Sequence, residues 1–235
     1  MGGSGIARHG TPDAAGVILT GSVPAVTEDP DGAWLRRVRA LQAIAQEGLT
    51  YTRDPFDAVR FTRLRELTAE IAEALSDADP GPVRLAVEQA EGYLTPKLDV
   101  RAAVFDDRGR VLLVQEHSDG RWSLPGGWAD VGEGLAAGAV REVWEETGYV
   151  VEYERLLGVY DRERWGHPPV MWYTLKAVVA CRLLGGERTT SMETDAVEWF
   201  ARDDVPELST GRTSPRLLER VFEHHDDPAL PPDVD

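Results

Sequence analysis

The sequence predicts an α/β protein, a sandwich built on a mixed sheet and preceded by a helical arm. Three observations point there. Residues 33–78 place apolar side chains at helical spacing. From Leu98 the pattern becomes strand-like. Strands, one helix, more strands and a last helix then follow, the order that lays helices over a sheet.

The arm comes first. Trp34, Val38, Leu41 and Ala45 recur at spacings of four, three and four, which makes one apolar stripe. Asp54-Pro55 opens a second helix with an N-cap and a proline at the first helical position. Leu64, Leu67, Ile71 and Leu75 are its expected buried face. Two helices alone cannot bury two stripes, so the arm must dock on the following domain or on a second copy. A homodimer is the expected assembly, because two-fold dimers are the commonest closed form. The Arg36-Arg37-Val38-Arg39 cluster reads as a solvated helix face rather than a nucleic-acid contact.

The sheet elements follow. Val100–Phe105 and Val111–Gln115 are β-rich runs joined by an Asp106-Asp107-Arg108-Gly109 turn. Leu156–Tyr160, Val170–Cys181 and Ala196–Phe200 are later strand candidates. Helical patterns cover Leu135–Thr147 and Pro215–Glu223. The expected organisation is a flexible leader (1–30), a helical region (31–93), a catalytic domain (94–225) and a solvated acidic tail (226–235).

Composition narrows the function. Lys and Arg number 25 against 41 Asp and Glu in 235 residues, a net charge of −16. That argues against binding nucleic-acid backbones, which needs clustered cations. It leaves nucleotides open, since metal ions bring phosphate and carboxylate together. The single cysteine, Cys181, excludes an intrachain disulfide framework and a Cys-rich zinc site. No apolar run approaches the ~20 residues of a membrane span. The N-terminus lacks a signal-peptide pattern, so a cytoplasmic protein is expected.

The informative stretch is SLPGGWADVGEGLAAGAVREVWEETGY, from Ser123 to Tyr149. Glu142, Glu145 and Glu146 stand at i, i+3 and i+4. On a helix they share an arc of about 100°. Ala136, Val140, Val143 and Thr147 lie on a different side. One face therefore suits a core and the other concentrates negative charge. Such charge destabilises a helix by itself. A hard divalent cation, Mg²⁺ or Mn²⁺, would offset it. The Leu124-Pro125-Gly126-Gly127 loop lets backbone approach a ligand closely. Glu133 and Arg141 are expected to pair, fixing the loop on the helix and keeping Arg141 off the metal.

These residues resemble the Nudix box: glycine, five residues, Glu, seven residues, then Arg-Glu, an apolar residue, any residue, Glu-Glu, any residue, Gly. Here it reads Gly127, Glu133, Arg141-Glu142-Val143, Glu145-Glu146 and Gly148, with Tyr149 where an aliphatic residue is commoner. The resemblance runs from about residue 96 to 207. It implies an α/β/α Nudix fold and a hydrolase of nucleoside diphosphates linked to some group X, giving a nucleoside monophosphate and phospho-X. It implies Glu142, Glu145 and Glu146 as metal ligands with the Gly126 carbonyl, and Glu133 paired with Arg141. A further glutamate before a late Glu-Trp pair serves many members as base or metal ligand. Glu193 fits that placement, with Glu187 and Glu198 as competitors. Arm plus box also resemble a bacterial Nudix subgroup acting on X-linked nucleoside diphosphates such as CDP-choline and ADP-ribose.

Rival activities are hydrolysis of nucleoside triphosphates or of a prenyl diphosphate. A non-catalytic nucleotide-sensing regulator is the rival of another class, and the intact glutamates argue against it. Substrate contacts are expected from Arg101, Tyr160 and Arg162, with Arg121 and Arg164 as rivals for a phosphate. Trp122, Trp165, Trp172 and Tyr160 are candidates to stack on a base. His117 and His167 read as structural or surface residues, and His224-His225 as solvent-exposed.

Overall fold

The computed structural model describes residues 33–75, 87, 91–168 and 170–235. The expected leader lies outside the described residues. Two helices open the described chain, α1 (Ala33–Tyr51) and α2 (Pro55–Leu75). The Asp54 carboxylate accepts from the amides of Phe56 (2.7 Å) and Asp57 (3.2 Å), the N-cap that the sequence predicts. Strands β1 (Lys97–Phe105), β2 (Val111–Glu116) and β3 (Trp122–Ser123) precede helix α3 (Leu135–Thr147). Strands β4 (Tyr149–Asp161), β5 (Thr174–Gly186) and β6 (Thr194–Phe200) follow. Helix α4 (Pro215–Asp226) and the short strand β7 (Asp233–Val234) close the fold.

The strands form one mixed sheet in the order β3-β2-β1-β5-β4-β7, with β6 also on β2. β1 runs parallel to β5 and β4 parallel to β7, and the other pairs are antiparallel. The period of two on β1 divides the core. Val100, Ala102 and Val104 pack with Ala139 and Val143 of α3. Ala103 packs on the other side with Leu217, Val221 and Phe222 of α4. Burying each of the Val, Leu and Phe side chains among these stabilises by roughly 1.5–3 kcal/mol. α4 starts where Ser214 Oγ accepts from Leu217 N (3.1 Å) and Pro215 takes the first helical position. The predicted sandwich is therefore present, with α3 and α4 on opposite faces.

Five expectations are corrected. On α2, Leu67 and Ile71 are 38% and 40% exposed, and the buried residues are Thr68, Ala69 and Ala72. Small residues let α1 and α2 approach. At Gly48 an added Cβ would lie 2.4 Å from the Phe61 ring. Arg39 is not solvated: its guanidinium donates to Met171 O (3.1 Å), Val170 O and Glu163, fastening α1 to the β4–β5 connection. That connection holds residues 170–173, so β5 begins later than expected. The last residues do not trail in solvent. β7 pairs with β4, and Asp233 accepts from Arg220 (2.7 Å) and Tyr160 (2.9 Å). His224 is buried against Asp233 at 3.0 Å, because α4 turns it inward.

Candidate active site

The Leu124–Trp128 loop replaces a neighbouring strand along the first half of β1. Val100 N donates to Gly127 O (2.8 Å) and Ala102 N to Pro125 O (2.9 Å). Gly126 holds φ +138°, and a Cβ there would lie 2.1 Å from Val100 O. Only glycine fits this approach. Gly126 N donates to Glu146 Oε2 (2.9 Å), and a Cβ on Gly127 would stand 3.1 Å from a Glu142 oxygen. The loop thus sits directly on two box carboxylates. α3 ends at Gly148, whose φ of +74° and N–H bond to Trp144 O (2.9 Å) let β4 leave at once.

A cavity of about 380 Å³ opens here. Gly126, Gly127, Trp128, Arg141, Glu142, Glu145 and Glu146 line one side, and Ser191, Met192 and Glu193 the other. Burial pushes the Glu146 carboxyl up to about 8, with Glu142 and Glu116 adding repulsion, while Arg101 and the Gly126 amide oppose the rise. Burial also raises Glu142. A carboxylate wall whose innermost member, Glu146, is buried offers oxygen ligands that fit a hard divalent cation, which would relieve that charge.

Arg141 departs from its expected role. It does pair with Glu133 (Nη2–Oε2 2.9 Å), but Nη1 also reaches Glu145 (2.7 Å) and Glu142 (3.1 Å), and Nη2 reaches Asp130 (3.2 Å). Five donors on a planar fork reach several acids at once, and Glu145 lies one turn along the same face. Among the described residues, no group of three or more His, Cys, Asp or Glu stands ready to hold a metal. The guanidinium lies among the box acids.

Glu193 shares the cavity, whereas neither competitor lines it. The loop is tied to the box helix, because Thr194 Oγ1 donates to Glu146 O (3.0 Å). His117 N donates to Glu193 O (2.9 Å). Glu198 instead pairs with Arg188 (2.6 Å) on an exposed strand face, and Glu187 is exposed.

The three expected substrate contacts lie elsewhere. Arg101 is buried and spent on Asp99 (2.8 Å) and Leu124 O (3.0 Å). Lys176 joins Asp99 at 2.9 Å, and burial draws that ammonium down to about 7. This buried cluster ties β1, β5 and the Gly-Gly loop together behind the carboxylates. Tyr160 is a core residue that serves the tail. Arg162 is buried, donating to Pro168 O and to Gly211 O (3.1 Å). Alternation on a strand predicts two faces but not which is wet. Trp122 packs edge-on against Phe200, and Trp165 against Tyr160. Sequence reasoning missed Trp128, which is 53% exposed on the cavity wall, one residue beyond the Gly-Gly pair.

A glycine loop on a carboxylate-bearing helix, set against a mixed sheet between two helical layers, defines a Nudix-type pyrophosphohydrolase. The chain belongs to the Nudix family: the NUDIX domain matches residues 95–221. Residues 32–86 match the UDP-X-like, N-terminal oligomerisation domain. YjhB of Bacillus subtilis (strain 168), whose name assigns it provisionally as an ADP-ribose pyrophosphatase, is 38% identical over 190 residues. The match covers 81% of this chain and 91% of that protein. A crystal structure of UDP-X diphosphatase is 31% identical, with a TM-score of 0.56, covering 88% of this chain and all of that one. A Streptococcus suis 89-1591 structure described as an ADP-ribose pyrophosphatase is 40% identical, with a TM-score of 0.55. It covers 60% of this chain and 100% of that one. Nudix hydrolases generally use a divalent metal, and their substrates are small molecules. No helix among the described residues is long and apolar enough to cross a membrane.

Proposed function

We propose that the protein is a Mg²⁺-dependent hydrolase of the phosphoanhydride in a nucleoside diphosphate linked to X, releasing a nucleoside monophosphate and phospho-X. ADP-ribose is the first substrate to test, since two of the relatives carry that activity in their names. A UDP-linked substrate is the second reading, favoured by the UDP-X diphosphatase that matches the arm as well as the catalytic domain. The observation that carries the proposal is the buried Glu146 carboxylate, seated on the Gly126 amide in a cavity walled by Glu142, Glu145 and Glu193.

Glu142, Glu145, Glu146 and the Gly126 carbonyl would hold the metal, with Mn²⁺ able to substitute. When bound, the cation neutralises diphosphate charge and charge developing in the transition state. Glu133 holds Arg141, which orients the box acids. Glu193 stands across the cavity and takes a proton from the attacking water. The Asp99–Arg101–Lys176 cluster keeps the Gly-Gly loop in register. Trp128 shields one rim. The arm makes the protein a homodimer, working in the cytoplasm.

The test is hydrolysis with Mg²⁺ over ADP-ribose, UDP-sugars, CDP-choline, nucleoside triphosphates and prenyl diphosphates. The expected result is preferential release of a nucleoside monophosphate from one X-linked diphosphate. Preference for triphosphates or prenyl diphosphates would overturn the substrate class. Running the best substrate in ¹⁸O water assigns the attacked phosphorus.

A further inference from the structure

A second cavity, of about 690 Å³, lies between α1, the segment leading into β1 and the β4–β5 connection. Its size suits a small-molecule site. Tyr93, Trp172 and Tyr173 supply aromatic walls, and Arg39, Lys97 and Glu163 supply charge. On the arm side, the Arg39 bonds to the connection join the groove's two walls. Trp172 is half-buried, while Tyr173 is 43% exposed and donates its hydroxyl to Asp161 at 3.0 Å.

Lys97 joins this groove to the box cavity. Its Nζ lies 4.4 Å from the Trp172 ring centre and 5.5 Å from that of Trp128. Trp172 lines the groove, and Trp128 lines the box cavity. A cation thus stands at the junction of the two spaces. The charges lining them differ. The box side carries four glutamates against Arg141. The groove balances Arg36, Arg39 and Lys97 against Glu91, Asp161 and Glu163. A balanced, aromatic groove suits the uncharged, flat end of a ligand whose anionic part reaches the box. Every nucleobase offers a π face for such walls, and its amino groups and ribose hydroxyls find carboxylate acceptors there.

Resting on the reading as a hydrolase of X-linked nucleoside diphosphates, we propose that this groove is the nucleobase subsite. The base stacks on Trp172 beside Tyr173, Lys97 meets the adjoining phosphate, and the diphosphate continues into the box cavity. The arm then contributes to substrate recognition as well as to assembly.

Two measurements on the full chain test this. In the first, the Glu146→Gln chain in EDTA is titrated with AMP, UMP and CMP by calorimetry, which needs no turnover. Saturable binding of at least one is expected. Trp172→Ala should weaken it by about 5- to 100-fold, the usual span for lost base stacking, and Trp172→Phe should restore it. In the second, Trp172→Ala and Lys97→Ala in the active chain raise KM for the best nucleoside diphosphate while kcat changes little. Should Trp172→Ala fail to fold, Tyr173→Ala on the exposed rim takes its place. AMP binding through Trp172 without hydrolysis of any nucleoside diphosphate would leave the subsite standing and sink the catalytic reading. Hydrolysis with parental KM in both Trp172→Ala and Tyr173→Ala would overturn the subsite alone. Loss of oligomers in Trp172→Ala with unchanged KM would also overturn it, assigning the groove to assembly.

Discussion

Glu146 occupies a position that costs the fold something. It is 7% exposed, and its carboxyl is pushed up to about 8 by burial. The folded protein therefore disfavours the anion at neutral pH, relative to the unfolded chain. Glu146→Gln keeps the shape and removes that cost. Metal-free thermal unfolding should show an unchanged or higher Tm, by up to a few degrees. Turnover should drop by orders of magnitude, and full activity at limiting Mg²⁺ would sink the metal assignment. Glu193 and Glu198 form a second residue-level test. Glu193→Gln should slow the chemical step by roughly 10²–10⁴-fold with affinity retained, the usual range for a positioned acid–base group. Glu198→Gln should do far less, because its carboxylate is engaged with Arg188 away from the cavity. Reversed effects in steady-state kinetics would move the base to Glu198.

At the scale of elements, what the sequence made legible follows from the range of the interactions. The box helix was readable because its caps, apolar face and carboxylates all lie within α3 and its flanking glycines. Strand β7 was not, because DDPALPPDVD has the composition of a solvated segment and gains its order only from distant partners. Those partners are Arg220, His224 and Tyr160, gathered on Asp233. Arg101 was hidden for another reason: its acid partner, Asp99, is only two residues away on β1, but alternation alone cannot say whether their shared face is buried. The tail contact makes a pH prediction. The Arg220 hydrogen bonds hold the Asp233 carboxyl well below the usual carboxylate range, against the effect of partial burial. A depressed folded pKa gives stability that is present above the unfolded value, about 4, and lost as pH falls below it. Asp233→Asn should therefore lower the Tm at pH 7 and narrow its gap to the parent by pH 3. A constant gap across that window would show that the tail is held by something other than this charge.

At the scale of the whole molecule, an apolar stripe stands exposed on the arm among the described residues. Phe56, Val59, Leu67 and Ile71 recur along α2 at spacings of three, eight and four, and are 72%, 69%, 38% and 40% exposed. Ile44 and Tyr51 of α1 add 53% and 65% exposure. Scattered apolar residues are ordinary on a surface, but a stripe at helical spacing marks an interface. Leu67 and Ile71 of this stripe belong to the face that the sequence expected to be buried, and within one chain they are exposed. A second copy covering it reconciles the two, in keeping with the oligomerisation domain that residues 32–86 match. Isologous pairing of the arms makes a homodimer the expected state. Light scattering on the full chain should give twice the 25.9 kDa protomer mass at micromolar concentration. Val59→Glu combined with Ile71→Glu should give monomers, since like charges would face each other across a desolvated two-fold contact. Neither position lines the groove or the box cavity, so hydrolysis and KM should survive in the monomer. A parent already monomeric at that concentration would refute the dimer. A monomeric variant with raised KM would mean instead that the partner's arm completes the substrate site.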